Sequence, residues 1–516
     1  MAGLLPDKMK PELNPFVGYQ LLNIITSGMY DDPLMVYREY VQNAVDSIDV
    51  AVERGILERD EAKIDIHVSG SDRTVSIEDN GTGVPKGSAG RVLLSLGYSP
   101  KDGEGRRGFR GIGRLGGLAY CDLLRFSTRS SSKERVMIVE WDRKQLDKLS
   151  EESKIKKSLI QMVRKITKVY DREPIADEPD HFFRVEMIGV RRFHSDKLMG
   201  VKPIRDYLGQ VCPVPYDESV FSYSGKLNEY FSDVPGSLSY EIGVNGKHVT
   251  RPYTDKVQVS TNIDDSISGI RTFEFSRDNK SLAKGWYAEM DYRGALPQSV
   301  TMRGIRVRQG NIQIGDEYFL ASHYLERRFA TWVVGEIHIC DFNIRPNARR
   351  DGFEHTPEYE SFLEQASILG RFLSQRCRKS SKERSNSQAA VRQLDEVESG
   401  LNGLIFFIDE EHRESILSAA NQKMEQVKRF VESSNDGEAV RERYGRVILR
   451  INELAENKAF FRDLLDKENV GNTDGVNIIG KILKSLQTEY SQCKSVEDLM
   501  QRVVRPFLKQ GEQNNQ

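Results

Sequence analysis

Between Leu34 and Val52 the apolar or small residues Val36, Tyr40, Val41, Ala44, Ile48 and Ala51 recur at helical spacing, which predicts an amphipathic helix with one face toward a core. Two short alternating runs follow, Ile64 to Val68 and Thr74 to Glu78. Their period of two predicts adjacent strands joined by the polar turn Ser69-Gly-Ser-Asp-Arg73. The second strand leads directly into Asp79-Asn-Gly-Thr-Gly83, and a loop rich in glycine and basic residues, Gly97 to Arg110, opens onto the small-residue stretch Gly111 to Tyr120. From Arg191 to about Phe353 the pattern changes to short strands punctuated by Gly, Pro and Asn, including Tyr240 to Val244, Gly285 to Tyr292 and Gly335 to Cys340. This predicts a second, mixed α/β domain. Beyond it Glu358 to Arg378 reads as a helix, and Lys379 to Ser387 as a polar, basic linker or a helix surface. Ile416, Ala420, Met424, Val427 and Val431 then fall at steps of four, four, three and four, and Val447, Ile451, Leu454, Phe461 and Leu465 continue in that style past the turn Asn435-Asp-Gly437. The tail is expected to be a helical pair with a further helix near Ile478 to Leu486.

A chain of 516 residues exceeds one ordinary core, so several domains are expected. The changes of pattern set their bounds: an N-terminal domain over 14–190, an α/β domain over 191–375, and a basic linker with a helical region over 376–516, an α+β chain as a whole. A net charge of -2 supplies no overall pull toward nucleic acid or membrane. Apolar stretches such as Leu404 to Ile408 fall far short of the roughly 20 residues that cross a bilayer. Met1 to Thr26 lacks the charged-then-apolar order of a secretory signal, so a cytoplasmic location without membrane contact is expected. The five cysteines, Cys121, Cys212, Cys340, Cys377 and Cys493, form no CxxC pair and are read as reduced structural thiols.

Three segments carry candidate chemistry. Glu39, Asn43 and Asp46, at spacings of four and three, share one helix face, where two carboxylates and an amide oxygen can converge. Asn43 suits magnesium, a hard ion that takes few protein oxygens, and Glu39 can orient and deprotonate a water. Taken alone, the same spacing also fits a solvated helix face. In the Asp79 segment, directly after an apolar strand, Asp79 can accept a hydrogen bond from an adenine amino group while Gly81 and Gly83 admit close backbone approach. By itself it is equally a plain turn. Gly108-Phe-Arg-Gly111-Ile112-Gly113-Arg114-Leu-Gly116-Gly117 spaces glycines so as to expose backbone amides, with Lys101, Arg106, Arg107, Arg110 and Arg114 close in sequence, a pattern that can cradle phosphates. The polar segment before it disfavours a dinucleotide fold, and no GxxxxGK[ST], HExxH or GxSxG motif is present.

In this order the three segments resemble the GHKL ATPases, the class of gyrase B, the HtpG-type heat-shock chaperone, histidine kinases and MutL. The resemblance implies a Bergerat-type ATP-binding α/β sandwich with ATP and Mg2+ as cofactors. It implies Glu39 as general base, Asn43 on the metal, Asp79 on adenine with Asp46, Gly81 and Gly83 around it, and a mobile lid over Gly97 to Gly117 that brings Lys101, Gly108, Gly111, Ile112, Gly113 and Arg114 to the nucleotide. Gly304 to Asp316 and Gly335 to Asp351 look like the transducer domain of the chaperone-like branch. That similarity implies a cation on the γ-phosphate, with Arg350 first and Arg349 and Arg308 as alternatives. One departure stands out: where many members carry a Gly-Thr pair at the start of a late strand, this chain reads Phe182-Phe-Arg-Val-Glu-Met187.

The function expected from these readings is an ATP-driven conformational switch or clamp, a homodimer that remodels or recruits protein partners. The alternatives are a nucleic-acid clamp similar to MORC or MutL, using Lys154, Lys156, Lys157, Arg164, Lys165 and Lys168 or the cluster Arg376 to Arg384, and an ATP-switched scaffold in bacterial defence against phage. Nucleic acid is the less favoured partner, because the net charge is not basic.

Overall fold

A computed structural model describes residues 32–96, 113–151, 158–192, 195–347, 349–404, 410–433 and 438–456. The chain divides into two compact units, Met1–Cys377 and Arg378–Gln516.

The first unit holds two sheets. Helix α1 (Met35–Glu53) precedes strands β1 (Lys63–Ser69) and β2 (Thr74–Asp79), then helix α2 (Lys86–Leu94). After a 3-10 segment, Gly113–Ala119, come β3 (Cys121–Arg129), β4 (Val136–Asp142), α3 (Arg143–Glu151), α4 (Leu159–Ile166), β5 (Thr167–Arg172) and β6 (Phe182–Val190). Helices α5 (Val201–Val211) and α6 (Ser224–Tyr230) lead to β7 (Glu241–Val244) and β8 (Lys247–His248). These strands form one sheet in the order β5-β4-β3-β6-β2-β1-β7-β8, antiparallel except where β7 runs parallel to β1. The segment Tyr240 to Val244, which alternation alone assigns to the second region, therefore completes the first sheet. Its Ile242 and Val244 enter the first core next to Ile64 and Ile66, a pairing that local pattern cannot reveal.

One face of this sheet is apolar and covered. In β1 only Ile64, Ile66 and Val68 turn inward, and in β2 Val75, Ile77 and Asp79 do so, as a period of two demands. Helix α1 lies over that face and buries Val36, Tyr37, Tyr40, Val41, Ala44, Val45, Ile48 and Ala51. The opposite face is a charge ladder, with Arg184 on Glu78 and Arg125 between Glu140 and Glu186.

A hairpin of β9 (Lys256–Ser260) and β10 (Ile263–Ser266) precedes the second sheet. That sheet joins β11 (Gly269–Arg277), β12 (Lys280–Glu289), β13 (Gly304–Gln309), β14 (Ile312–Ile314) and β15 (Val334–Ile339) in the order β11-β12-β15-β13-β14. A separate core, built around Phe221, Tyr253, Trp286 and Phe329, packs against it.

Helix α7 runs unbroken over Pro357–Gly403, so Lys379 to Ser387 is helix and not linker. That stretch contains no Gly or Pro to end a helix, and its Lys, Glu and Arg residues are good helix formers. In the second unit the later turns of α7 share a core with α8 (Glu410–Ser433) and α9 (Glu438–Glu456), through Leu394, Leu401, Met424, Val427, Val447 and Ile451. Phe461, Leu465 and the helix expected near Ile478 lie outside the described residues. No described helix is long and apolar enough to cross a membrane.

Candidate functional site

Glu39, Asn43 and Ser47 form a half-buried stripe at steps of four along α1, flanked by the buried Arg38, Gln42 and Asp46. A freely solvated helix face would not bury these three, so the polar residues face an enclosed site. The Asp79 turn closes against the same stripe. The Thr82 N–H donates to the Ser47 carbonyl (3.4 Å), and the Ser47 and Thr82 hydroxyls lie 3.5 Å apart. Buried Asp79 accepts the Gly81 N–H on Oδ1 (3.0 Å). Both glycines are required by space: a Cβ on Gly81 would overlap the Ser47 hydroxyl, and one on Gly83, where φ is +61°, would overlap the Arg129 carbonyl.

Two residues fix this turn that sequence reasoning did not identify. Thr128 on β3 accepts the Val84 N–H (2.8 Å) and donates to the Phe182 carbonyl (3.0 Å). It stands opposite Phe183 in the ladder, so a buried threonine hydroxyl lies one strand away from where the Gly-Thr pair was sought. His181 places Nδ1 at 2.9 Å from both the Asn80 and Gly81 carbonyls and holds the turn from the other side.

The start of the Gly113–Ala119 segment is tied to α1 by Tyr40, whose hydroxyl donates to the Arg114 carbonyl (3.1 Å) and accepts the Gly117 N–H (2.9 Å). Gly117 leaves no room for a Cβ against that hydroxyl. The Arg114 side chain is half-buried and donates to the Ser95 carbonyl, while its Nε has no described partner. Burial pushes the Arg114 guanidinium down to about 10, and no carboxylate among the described residues offsets it. A desolvated cation with no counter-charge among the described residues, at a segment rich in small residues, is suited to an anion brought from outside.

The second sheet approaches α1 through the loop that carries Arg349 and Arg350. Arg38 Nη2 donates to the Arg349 carbonyl (3.2 Å) and pairs with Glu39 Oε1 at 3.3 Å, so Glu39 and this loop share one guanidinium. The Arg349 side chain is exposed and Arg350 is buried. Arg350 adopts φ +57°, uncommon for a side chain of its size, and its carbonyl accepts the Gly315 N–H (2.9 Å). Arg308 is committed elsewhere. Only 1% exposed, it donates to Glu336 (2.7 Å) and to the carbonyls of Gln210, Cys212 and Asn311. Glu336 also receives Arg251, the Tyr216 hydroxyl (2.8 Å) and His338 Nε2 (3.2 Å). Despite its burial, the two guanidiniums hold the Glu336 carboxyl well below the usual range.

Of the sequence-predicted residues, Glu39, Asn43, Asp46, Asp79, Gly81, Gly83, Gly113 and Arg114 therefore lie on α1, on the turn that contacts it or on the segment that Tyr40 ties to it. Arg350 lies on the loop that touches Arg38. Lys101, Gly108, Gly111 and Ile112 lie outside the described residues. Residues 35–172 match the family described as Histidine kinase-, DNA gyrase B-, and HSP90-like ATPase. This segment is similar to a GHKL-type ATPase domain. No curated protein matches the chain. The GHKL-type domain spans the sheet from β1 to β5 together with α1, the Asp79 turn and Arg114, and the family implies ATP as its ligand.

The residues present fit such a ligand. Gly81 and Gly83 let the turn pack closely on Ser47 and on the Arg129 carbonyl, which sets buried Asp79 beside the polar stripe of α1, and Arg114 supplies positive charge for phosphate. Asn43 offers a single neutral oxygen, in keeping with a magnesium ion that draws its other ligands from phosphate and water.

Proposed function

We propose that this chain binds and hydrolyses ATP at the α1 site and uses the cycle as a conformational switch that remodels or recruits a protein partner. The observation that carries the reading is Arg114, a half-buried cation with no carboxylate beside it among the described residues, on a segment tied by Tyr40 to the helix of Glu39. Asp79 accepts from the adenine amino group, with Asp46, Gly81 and Gly83 shaping the base pocket, and Gly113 and Arg114 contact the phosphates together with Lys101, Gly108, Gly111 and Ile112 of the lid. Asn43 holds Mg2+, which neutralises charge on the phosphate oxygens. Glu39 takes a proton from the attacking water, and Arg350 offsets charge growing on the γ-phosphoryl group.

The bond from Arg38 to the Arg349 carbonyl supports the switch. Arg38 holds Glu39 through one of its nitrogens, so a ligand that draws the Arg350 loop inward also changes the setting of the base. ATP can drive such a change only through tighter contacts with one state, and its γ-phosphate is the part that hydrolysis removes. The protein acts as a homodimer in the cytoplasm.

The test is Glu39→Ala in the full chain, with ATP binding and turnover both measured. The expected outcome is retained binding with turnover reduced about 100-fold or more, the span that a positioned general base contributes. Unchanged turnover removes Glu39 from the mechanism.

A further inference from the structure

Strand β5 is the outermost strand of the first sheet. Its inner edge pairs with β4 over Thr167–Arg172, and no described strand pairs with its outer edge. Residues 167–172 make no described backbone–backbone hydrogen bond outside that ladder. Sheet edges are ordinarily protected by charge, proline or a bulge, because free N–H and C=O groups recruit another strand. This edge carries charge at Lys168, Asp171 and Arg172, yet between them it also leaves Val169 44% and Tyr170 42% exposed. Ile160, Val169, Tyr170 and Ile175 are four of the fourteen exposed large apolar side chains among the described residues, and all fall within residues 160–175. Such a concentration beside a free edge marks a pairing surface.

The geometry points to a second copy of this chain as the occupant, pairing β5 to β5 in antiparallel fashion. A two-fold axis through a continuous sheet keeps each face on its own side, so residues opposite one another must share a face. Two registers near the middle of β5 satisfy this, one centred on Val169 and one on Tyr170. Centred on Tyr170, Lys168 opposes Arg172 twice, and like charges directly opposite destabilise a pair. Centred on Val169, Val169 meets its own copy, Lys168 opposes the Tyr170 ring twice and Thr167 opposes Asp171 twice. Each pair is then complementary: methyl against methyl, ammonium against aromatic ring, hydroxyl against carboxylate.

Lys168 and Tyr170 occupy the open face of the sheet, where the Tyr170 hydroxyl donates to Glu140 (3.0 Å) and Lys168 stands opposite Glu140 in the ladder. Asp171 lies on the other face and is held by Lys86 (2.7 Å) and Arg135 (2.8 Å). The strand is therefore pinned in its twist before a partner arrives, which lowers the ordering cost of pairing. The result is one sheet continuous across two ATPase domains. The interface uses no nucleotide contact, so it stands or falls apart from the ATP reading.

The test uses the full chain with Val169→Cys and Tyr170→Cys, oxidised mildly beside the wild-type protein. Opposite residues in an antiparallel pair sit about 4.5–5.5 Å apart at Cα, within the span of a disulfide. The expected result is a covalent dimer from V169C, little from Y170C and none from wild type. In parallel, sedimentation of Val169→Lys, a change at an exposed position, is expected to show self-association weakened about tenfold or more, since like charges now meet at the axis. Failure of V169C to cross-link overturns the pairing, and so does equal cross-linking of the two variants. Saturable capture of an acidic extended peptide by the wild-type edge, with V169C remaining monomeric, overturns the second copy in favour of a heterologous strand.

Discussion

Among the cations that the first unit takes out of water, those around Glu336 and the one at Arg114 are treated in opposite ways. Around Glu336, the guanidiniums of Arg251 and Arg308 meet one carboxylate, and their remaining donors reach the carbonyls of Val214, Gln210 and Cys212. This cluster joins β13 and β15 to the end of α5, whose last carbonyls Arg308 satisfies. At the candidate ATP site, Arg114 is desolvated and no described carboxylate answers it. Burial of charge alone therefore does not mark a functional cation. A completed set of partners marks an anchor, and a missing counter-charge marks a place for a ligand.

The comparison breaks most visibly under substitution. Glu336→Ala leaves two buried guanidiniums without their carboxylate and is expected to cost about 3–5 kcal/mol of stability, read by denaturant unfolding. Arg114→Ala removes an uncompensated charge and is expected to leave stability unchanged within about 0.5 kcal/mol. If Arg114→Ala costs as much as Glu336→Ala, the two sites do not differ in kind.

Acid sharpens the contrast next. Burial and the neighbouring guanidiniums hold the folded His338 ring down to about 4, against an ordinary 6.5, although Glu336 pulls the other way. As pH falls, the unfolded chain takes up this proton first. The stability from a neutral buried His338 is thus complete above 6.5 and is lost between 6.5 and 4, on the order of 3 kcal/mol. Glu336, with its depressed pKa, adds a further loss only below its ordinary 4.5. His338→Gln is expected to flatten the profile between pH 6.5 and 4, measured as unfolding midpoint against pH.

Smaller effects belong to the ATPase site. Gly83→Ala forces a Cβ into the Arg129 carbonyl at a positive φ and is expected to cost about 1–3 kcal/mol. Thr128→Val leaves the Val84 N–H without its acceptor and is expected to cost about 1 kcal/mol, with weaker ATP binding as the turn loosens. Calorimetry of both variants checks these values.

Much of the ATPase domain was legible in the chain because its signals are local. The helical spacing of Val36 to Ala51, the alternation of Ile64 to Val68 and the strand that ends on Asp79 each declare their element and face within a few residues. What escaped is set by long-range register. Thr128 and Phe182, 54 positions apart, meet only because β3 pairs with β6. β7 joins β1 past every helix and strand that separates them in sequence. Arg38 precedes Glu39, yet its role appears only when the Arg349 carbonyl arrives from 311 residues away. Arg308 stood as an alternative to Arg350 for reaching a phosphate, and only the partners of Glu336 show that Arg308 is already spent.

The central claim is that the α1 site takes ATP through charge left open for it. Its most direct test is a titration of the full wild-type chain and of Arg114→Ala with ATP and Mg2+ by calorimetry. Saturable binding is expected, one ATP per chain, weakened about tenfold or more by the substitution, about 1.4 kcal/mol for a charge-assisted contact. No saturable binding by wild type, or equal affinity in the two proteins, contradicts it.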